Sequence, residues 1–268
     1  MRHSLALFLL LTLTACGLLS SPDENAASKS GTAEQLYAAA KDELDNNNYE
    51  KAVKGFDALQ SRYPYGRYAQ QAQLETAYAY FKQKEPESAL AAADRFIKQY
   101  PNNPHVDYAY YLKGLINFNE DLGLLGAIVQ QDLSDRDPNA ARDAFDAFKE
   151  LVTRFPDSSY APDARLRMQY LINALARHEI HVASFYLRQG AYVAAANRAK
   201  DVLADYSQTP ATRDALQIMV QAYDAMGMKT LRDDAQRVLD ENVARDNAVA
   251  PTVRPSPRNE KPWWQFWK

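Results

Sequence analysis

The feature that most constrains this chain is a repeat. Tyr49-Glu50-Lys51-Ala52-Val53 lines up with Pro86-Glu87-Ser88-Ala89-Leu90 at a spacing of 37, and the same spacing carries Arg62-Tyr63-Pro64 onto Gln99-Tyr100-Pro101. A spacing of 55 carries Ala89-Leu90 onto Ala144-Phe145, and Tyr100-Pro101 onto Phe155-Pro156. A spacing of 51 carries Ala144 onto Ala195, with Ser207 in place of the proline. A weaker copy 36 residues on sets Ala199 on Ala235 and Val202-Leu203 on Val238-Leu239. Each copy reads as a helix with a small residue early, an apolar stripe, and an aromatic followed usually by proline at its end. The proline stops the helix because it lacks an N–H and its ring clashes with the preceding turn.

Other helices lie between these. Leu74, Ala77, Tyr78 and Phe81 fall at i, i+3, i+4 and i+7, as do Ala215, Ile218, Met219 and Ala222. Two helices per unit of roughly 34 residues is the tetratricopeptide pattern. The prediction is an all-α solenoid of five tetratricopeptide-like helix pairs over residues 32–247. The two larger spacings mark insertions, one at residues 119–137 and one that lengthens the helix over residues 162–189. One such pair cannot bury its apolar face alone, so neighbours stack and leave a concave groove. Ala52, Ala89, Ala144 and Ala195 are the expected close-packing positions. Tyr49, Tyr63, Phe96, Tyr100, Phe148, Phe155 and Tyr206 read as core.

The ends of the chain do not follow the repeat. Residues 5–13 form an apolar run broken only by Thr12. That is too short to span a bilayer, which takes about 20 residues, and has the length of a signal-peptide core. It closes in Leu13-Thr14-Ala15-Cys16, which resembles the bacterial lipobox and uses the only cysteine. Residues 1–15 then read as a lipoprotein signal peptide, with Cys16 as the lipidated first residue. Each buried methylene of an acyl chain contributes about 0.8 kcal/mol to anchorage. In bacterial lipoproteins Asp after the cysteine marks inner-membrane retention, so Gly17 implies the outer membrane. Residues 16–31 are small, polar or turn-forming and read as a tether. Thr32 and Gln35 form a capping-box signature where the folded domain begins. At the other end, residues 248–268 form a proline-rich stretch closing in Pro262-Trp263-Trp264-Gln265-Phe266-Trp267-Lys268, which holds all 3 tryptophans. Two readings of that tail stay open, a membrane or partner anchor and a tolerated sticky end.

No constellation for catalysis emerges. Neither GxxxxGK[ST] nor GxSxG occurs. His178 and His181 share a helix face, but two histidines make no site. Asp132, Asp135, Arg136, Asp137 and Arg142 read as a salt-bridged turn. A formal net charge of -3 and a pI near 5.9 argue against a nucleic-acid binder. The expectation is no enzyme, no cofactor and no metal.

Several strings together are more specific: Arg62-Tyr63-Pro64-Tyr65-Gly66, Ala93-Asp94-Arg95-Phe96-Ile97, Ser134-Asp135-Arg136-Asp137-Pro138, Ala161-Pro162-Asp163-Ala164-Arg165 and Gly190-Ala191-Tyr192-Val193-Ala194. With the lipobox, the chain resembles the BamD (ComL-like) family of outer-membrane β-barrel assembly lipoproteins. The resemblance implies a lipid-anchored scaffold facing the periplasm, working beside other lipoproteins of the same machine. It implies docking of the C-terminal repeats on the POTRA domains of the barrel insertase, through Arg188, Tyr192 and Arg198 near Gly190 and Ala194. It implies that the N-terminal repeats receive unfolded outer-membrane protein precursors, in a groove expected at Tyr65, Tyr68, Gln71, Tyr78 and Tyr108. Trp264 and Phe266 loosely resemble a client's aromatic end, so the tail is also a candidate occupant of that groove. The alternative is a periplasmic repeat scaffold linked to peptidoglycan or cell division.

Overall fold

The computed structural model describes residues 31–118 and 138–246, and among them it contains helices and no strand. In chain order they are α1 (Ala33–Asp45), α2 (Tyr49–Arg62), α3 (Arg67–Lys82), α4 (Pro86–Gln99), α5 (Val106–Phe118), α6 (Pro138–Arg154), α7 (Ala161–Arg188), α8 (Tyr192–Asp205), α9 (Ala211–Ala225) and α10 (Lys229–Asp246). The chain divides into two units, one ending at Ala109 and the other beginning at Tyr110. The signal segment, Cys16, the tether, the insertion at 119–137 and the tail fall outside the described residues.

In the first unit α1 packs on α2, α2 on α3 and α3 on α4, and α1 also touches α3. In the second, α6, α7, α8, α9 and α10 pack in succession, and α7 also touches α9. Within each of these two runs a helix meets its sequence neighbours, and the first helix of a pair, α1 or α7, meets the first helix of the next, α3 or α9. That is the tetratricopeptide arrangement expected from the spacing.

Two kinds of turn repeat, and each has a physical cause. Within a pair, one residue takes left-handed backbone: Asn47 (φ 62), Lys84 (φ 63), Gly190 (φ 74) and Gly227 (φ 72). The next N–H then reaches a carbonyl five residues back: Asn48 to Glu43 at 2.8 Å, Glu85 to Tyr80 at 3.0 Å, Ala191 to Tyr186 at 3.0 Å and Met228 to Tyr223 at 2.9 Å. This closes the helix end by satisfying its orphan carbonyls. Between pairs, the helix ends on an aromatic. Tyr63, Tyr100, Phe155 and Tyr206 donate N–H to Leu59, Phe96, Leu151 and Val202 at 2.8, 2.8, 2.8 and 3.0 Å. The following proline or serine then leaves the helix.

The turns correct one spacing. Gly190 to Gly227 is 37 residues, as is Asn47 to Lys84, so the last copy is offset by 37 and not by 36. Arg232, not a small residue, stands where Ala195 stands in the preceding pair. Alanine matches are weak register markers in an alanine-rich helix. The single residue that must enter the left-handed region is a strong one.

Packing follows the same register. Ala52, Ala89, Ala144 and Ala195 are each 0% exposed. Leu59, Phe96, Leu151, Val202 and Leu239, at one common position in the second helices, are all buried. Phe96 and Phe148 lie fully in the core, as expected, while Tyr49, Tyr63 and Tyr206 pack half-buried against it. Thr32 and Gln35 form both bonds of the capping box, at 3.3 and 2.9 Å. The lengthened helix is α7, 28 residues long. Its start is tied to α5 by Tyr111, which donates to Asp163 at 2.7 Å and stacks on Tyr160 at 4.8 Å.

Glycine marks the closest approaches. A Cβ on Gly55 would sit 2.7 Å from the Ala40 Cβ, and one on Gly114 would sit 2.3 Å from the Phe148 ring. Phe148 is fully buried. Gly114→Ala therefore overpacks the second unit and is expected to cost about 1–3 kcal/mol, read as a shifted midpoint in chemical denaturation with no loss of helix signal in the native state.

Candidate peptide-binding and docking faces

The first unit carries a polar-aromatic seam between α1 and α3. Tyr68, Gln71, Glu75 and Tyr78 recur at helical spacing along α3 and share one face. Tyr37 and Lys41, one turn apart on α1, meet it. The Tyr37 ring lies 5.4 Å from that of Tyr68 and 6.0 Å from that of Phe56. Its hydroxyl donates to Glu75 Oε1 at 2.7 Å. Lys41 Nζ lies 3.8 Å from the same carboxylate oxygen and 3.0 Å from Asp45. Arg67 covers the Tyr68 ring at 4.6 Å and donates to its hydroxyl at 2.7 Å.

Glu75 is the unusual member. It is 0% exposed, and its second oxygen, like Gln73 Nε2, has no hydrogen-bond partner among the described residues. Burial pushes its carboxyl up to about 7, against the opposing pull of Lys41 and the Tyr37 hydrogen bond. Burial, and then the nearby Glu75 charge, push the Tyr37 hydroxyl well above its usual range.

The five residues expected to line a precursor groove fall into three settings. Tyr65 stands on the α2–α3 turn and is 89% exposed. Tyr68, Gln71 and Tyr78 are half-buried on α3. Tyr108 is 4% exposed, so it belongs to the packing of its unit and presents no open ring. Periodicity places an aromatic on a helix face but does not say what covers that face, so sequence alone does not separate Tyr108 from the others. Tyr37, Lys41 and Glu75 escaped the sequence reading. The available signal was an acid at Glu75 between Leu74 and Ala77 of the apolar stripe.

In the second unit the notable group is Glu179, on α7 and 7% exposed. Arg198, from α8, donates to its Oε2 at 3.1 Å, and Arg142, from α6, stands 3.5 Å from its Oε1. Both arginines keep nearly half of their side-chain surface in solvent. One buried carboxylate thus holds two guanidinium groups and leaves an outward positive charge. Burial raises the Tyr206 hydroxyl beside them, partly offset by Arg142. Arg188 is exposed in the last turn of α7, and Tyr192 is half-buried at the first position of α8. Arg198 was expected from sequence; Arg142 and Glu179 were not, since they come from different helices.

Packed helix pairs with polar and aromatic groups on their faces define a helical repeat protein of the tetratricopeptide class. No helix among the described residues is long and apolar enough to cross a membrane. Residues 29–238 match the YfiO family, described as an outer membrane lipoprotein, and the chain belongs to that family. It is 44% identical over 258 residues to "Outer membrane protein assembly factor BamD" of Neisseria meningitidis serogroup A, covering 96% of each chain. The protein of that name from Neisseria gonorrhoeae is also 44% identical, with the same coverage. The one from Xylella fastidiosa is 39% identical over 240 residues, 90% of this chain and 82% of that one.

The buried acid has a pH signature. The folded pKa of Glu75, about 7, lies above its ordinary value of 4.5, so the folded state holds the proton more tightly. The stabilisation is fully present below the ordinary value and is lost as pH rises through about 7. Stability of the first unit is expected to fall between about pH 5 and about pH 8, and Glu75→Gln is expected to flatten that fall. Chemical denaturation at several pH values checks it; parallel curves for the two proteins would refute it.

Proposed function

We propose that this protein is an assembly factor for outer membrane proteins that works by binding, anchored through lipid on Cys16 and facing the periplasm. The observation that carries the reading is identity of 44% over 96% of both chains to relatives bearing that name. The finer mechanism follows from the two faces. The α1–α3 seam takes an unfolded precursor: Tyr65 offers an open ring, Tyr68 and Tyr78 offer half-buried ones, and Gln71 offers an amide for the peptide backbone. Arg67 and Tyr37 hold Tyr68 in place, so little side-chain freedom is lost on binding. Aromatic anchors in a preorganised site carry most of the energy of such contacts.

The second face docks the protein on its machine. Arg198 is pinned by Glu179 and still half-exposed, which presets a cation for a carboxylate on the POTRA domains of a barrel insertase. Arg188 and Tyr192 extend that contact across the α7–α8 turn. Other lipoproteins of the machine are further partners. Nothing in this scheme consumes a nucleotide, so the drive for release comes from folding of the client in the membrane.

The test is a pull-down from native outer membranes in mild detergent, with mass spectrometry of the partners. A POTRA-bearing barrel protein is expected to dominate, and Arg198→Glu to remove it, since reversing a desolvated charge contact costs about 2–5 kcal/mol. Recovery of peptidoglycan-linked or division proteins alone would replace this reading with a periplasmic scaffold. For the client face, Tyr65→Ala with Tyr68→Ala is expected to weaken a precursor C-terminal peptide by about 10-fold or more, measured by fluorescence anisotropy with a labelled peptide.

A further inference from the structure

One end of the second unit carries apolar side chains that nothing in the described residues covers. Phe185 is 51% exposed, Val193 62%, Met228 45% and Leu231 46%. The topology brings them together. α7 and α9 lie side by side, and α8 runs back between them in sequence, so α7 and α9 run the same way. Their C-terminal ends, and the turns at Gly190 and Gly227, therefore share one end of the unit. Phe185 and Val193 flank the first turn, and Met228 and Leu231 belong to the second. Scattered exposed apolar residues need no explanation, but several at one end of a helix stack mark a contact surface.

The chain itself supplies a matching segment. All 3 tryptophans stand in residues 262–268, together with Phe266. They are connected to α10, the same helix that has Leu231 in its first turn and ends at Asp246. α10 has 18 residues and is about 27 Å long at ~1.5 Å per residue. The linker at residues 247–262 contains Pro251, Pro255, Pro257 and Pro262; in extended form it spans about 50 Å at ~3.1 Å per residue. It can return the length of the helix with slack. A short tether of this kind holds the tail near the patch at an effective concentration of roughly millimolar.

We propose that the tryptophan-rich end of the chain docks on the apolar patch formed by Phe185, Val193, Met228 and Leu231 of its own second unit. The indoles bury against the aliphatic side chains. The contact is intramolecular and lies in the second unit, so it leaves the α1–α3 seam open. It shares the α7–α8 turn with the proposed docking face, and its test in the free protein needs no partner at Arg198.

The experiment uses the fact that tryptophan emission from this protein reports the tail alone. The mature chain with Cys16→Ser, which needs no detergent, is measured for emission maximum and acrylamide quenching. The tail is expected to be shielded, independently of protein concentration. Met228→Asp with Leu231→Asp, and separately Val193→Asp, are expected to red-shift the emission and at least double the quenching. All three positions are exposed, and helix signal checks that each variant folds. Four results would overturn the proposal. They are a solvent-like tail in the unsubstituted chain; shielding unaffected by the patch variants; shielding that responds to Tyr65→Ala instead, which moves the tail to the seam; and shielding that needs a second copy or phosphatidylethanolamine–phosphatidylglycerol vesicles.

Discussion

Everything in this fold depends on how closely the two helices of a pair can approach. The fully buried alanines at Ala52, Ala89, Ala144 and Ala195 set that distance in four pairs. Gly55 against Ala40 and Gly114 against Phe148 leave no room even for a methyl group. Close approach lets a short second helix of about four turns bury a continuous stripe, and large residues such as Phe56, Phe96 and Phe148 then fill the core. A solenoid has no distant contacts to fall back on, so each pair must close its own interface.

That local tightness explains the turns. Four of the five pairs reverse in three residues, and each of these turns closes with one residue at positive φ. Two positions use glycine, while Asn47 and Lys84 accept the conformation with a side chain. Between pairs the chain needs a looser exit. The aromatic cap provides it, anchoring the end of one helix on the core while the next begins.

The recognition surfaces are built where this rule is relaxed. In each unit a glutamate is buried in a first helix, and it is held by cations or hydroxyls from neighbouring helices. Glu75 draws on Tyr37 and Lys41; Glu179 draws on Arg142 and Arg198. Buried charges are costly unless paired, and removing one partner leaves the other stranded. Both therefore fix side chains that would otherwise be mobile, Tyr37 against Tyr68 in the first unit and Arg198 at the surface of the second. A scaffold that binds without chemistry gains from such preorganisation, since rotamers ordered beforehand are not ordered at binding.

The repeat, the helix pairs, the aromatic caps and the buried small residues were legible in the amino-acid sequence. They are local: a helix ends where proline forces it to end, and a face is apolar where the spacing of 3 and 4 makes it so. Family membership was legible for the same reason, through short strings spread over the repeats. The partners across helices were not. Periodicity says that Tyr68, Tyr78 and Tyr108 each lie on a helix face, but only packing decides that Tyr65 stays open and Tyr108 is covered. Nor does any spacing pair Glu75 with Tyr37, or Glu179 with Arg142, because those contacts join helices far apart in the chain. The sequence by itself determined which residues form helices and where they turn. Tertiary structure alone decided which charges are buried together, because that depends on the environment neighbouring helices create.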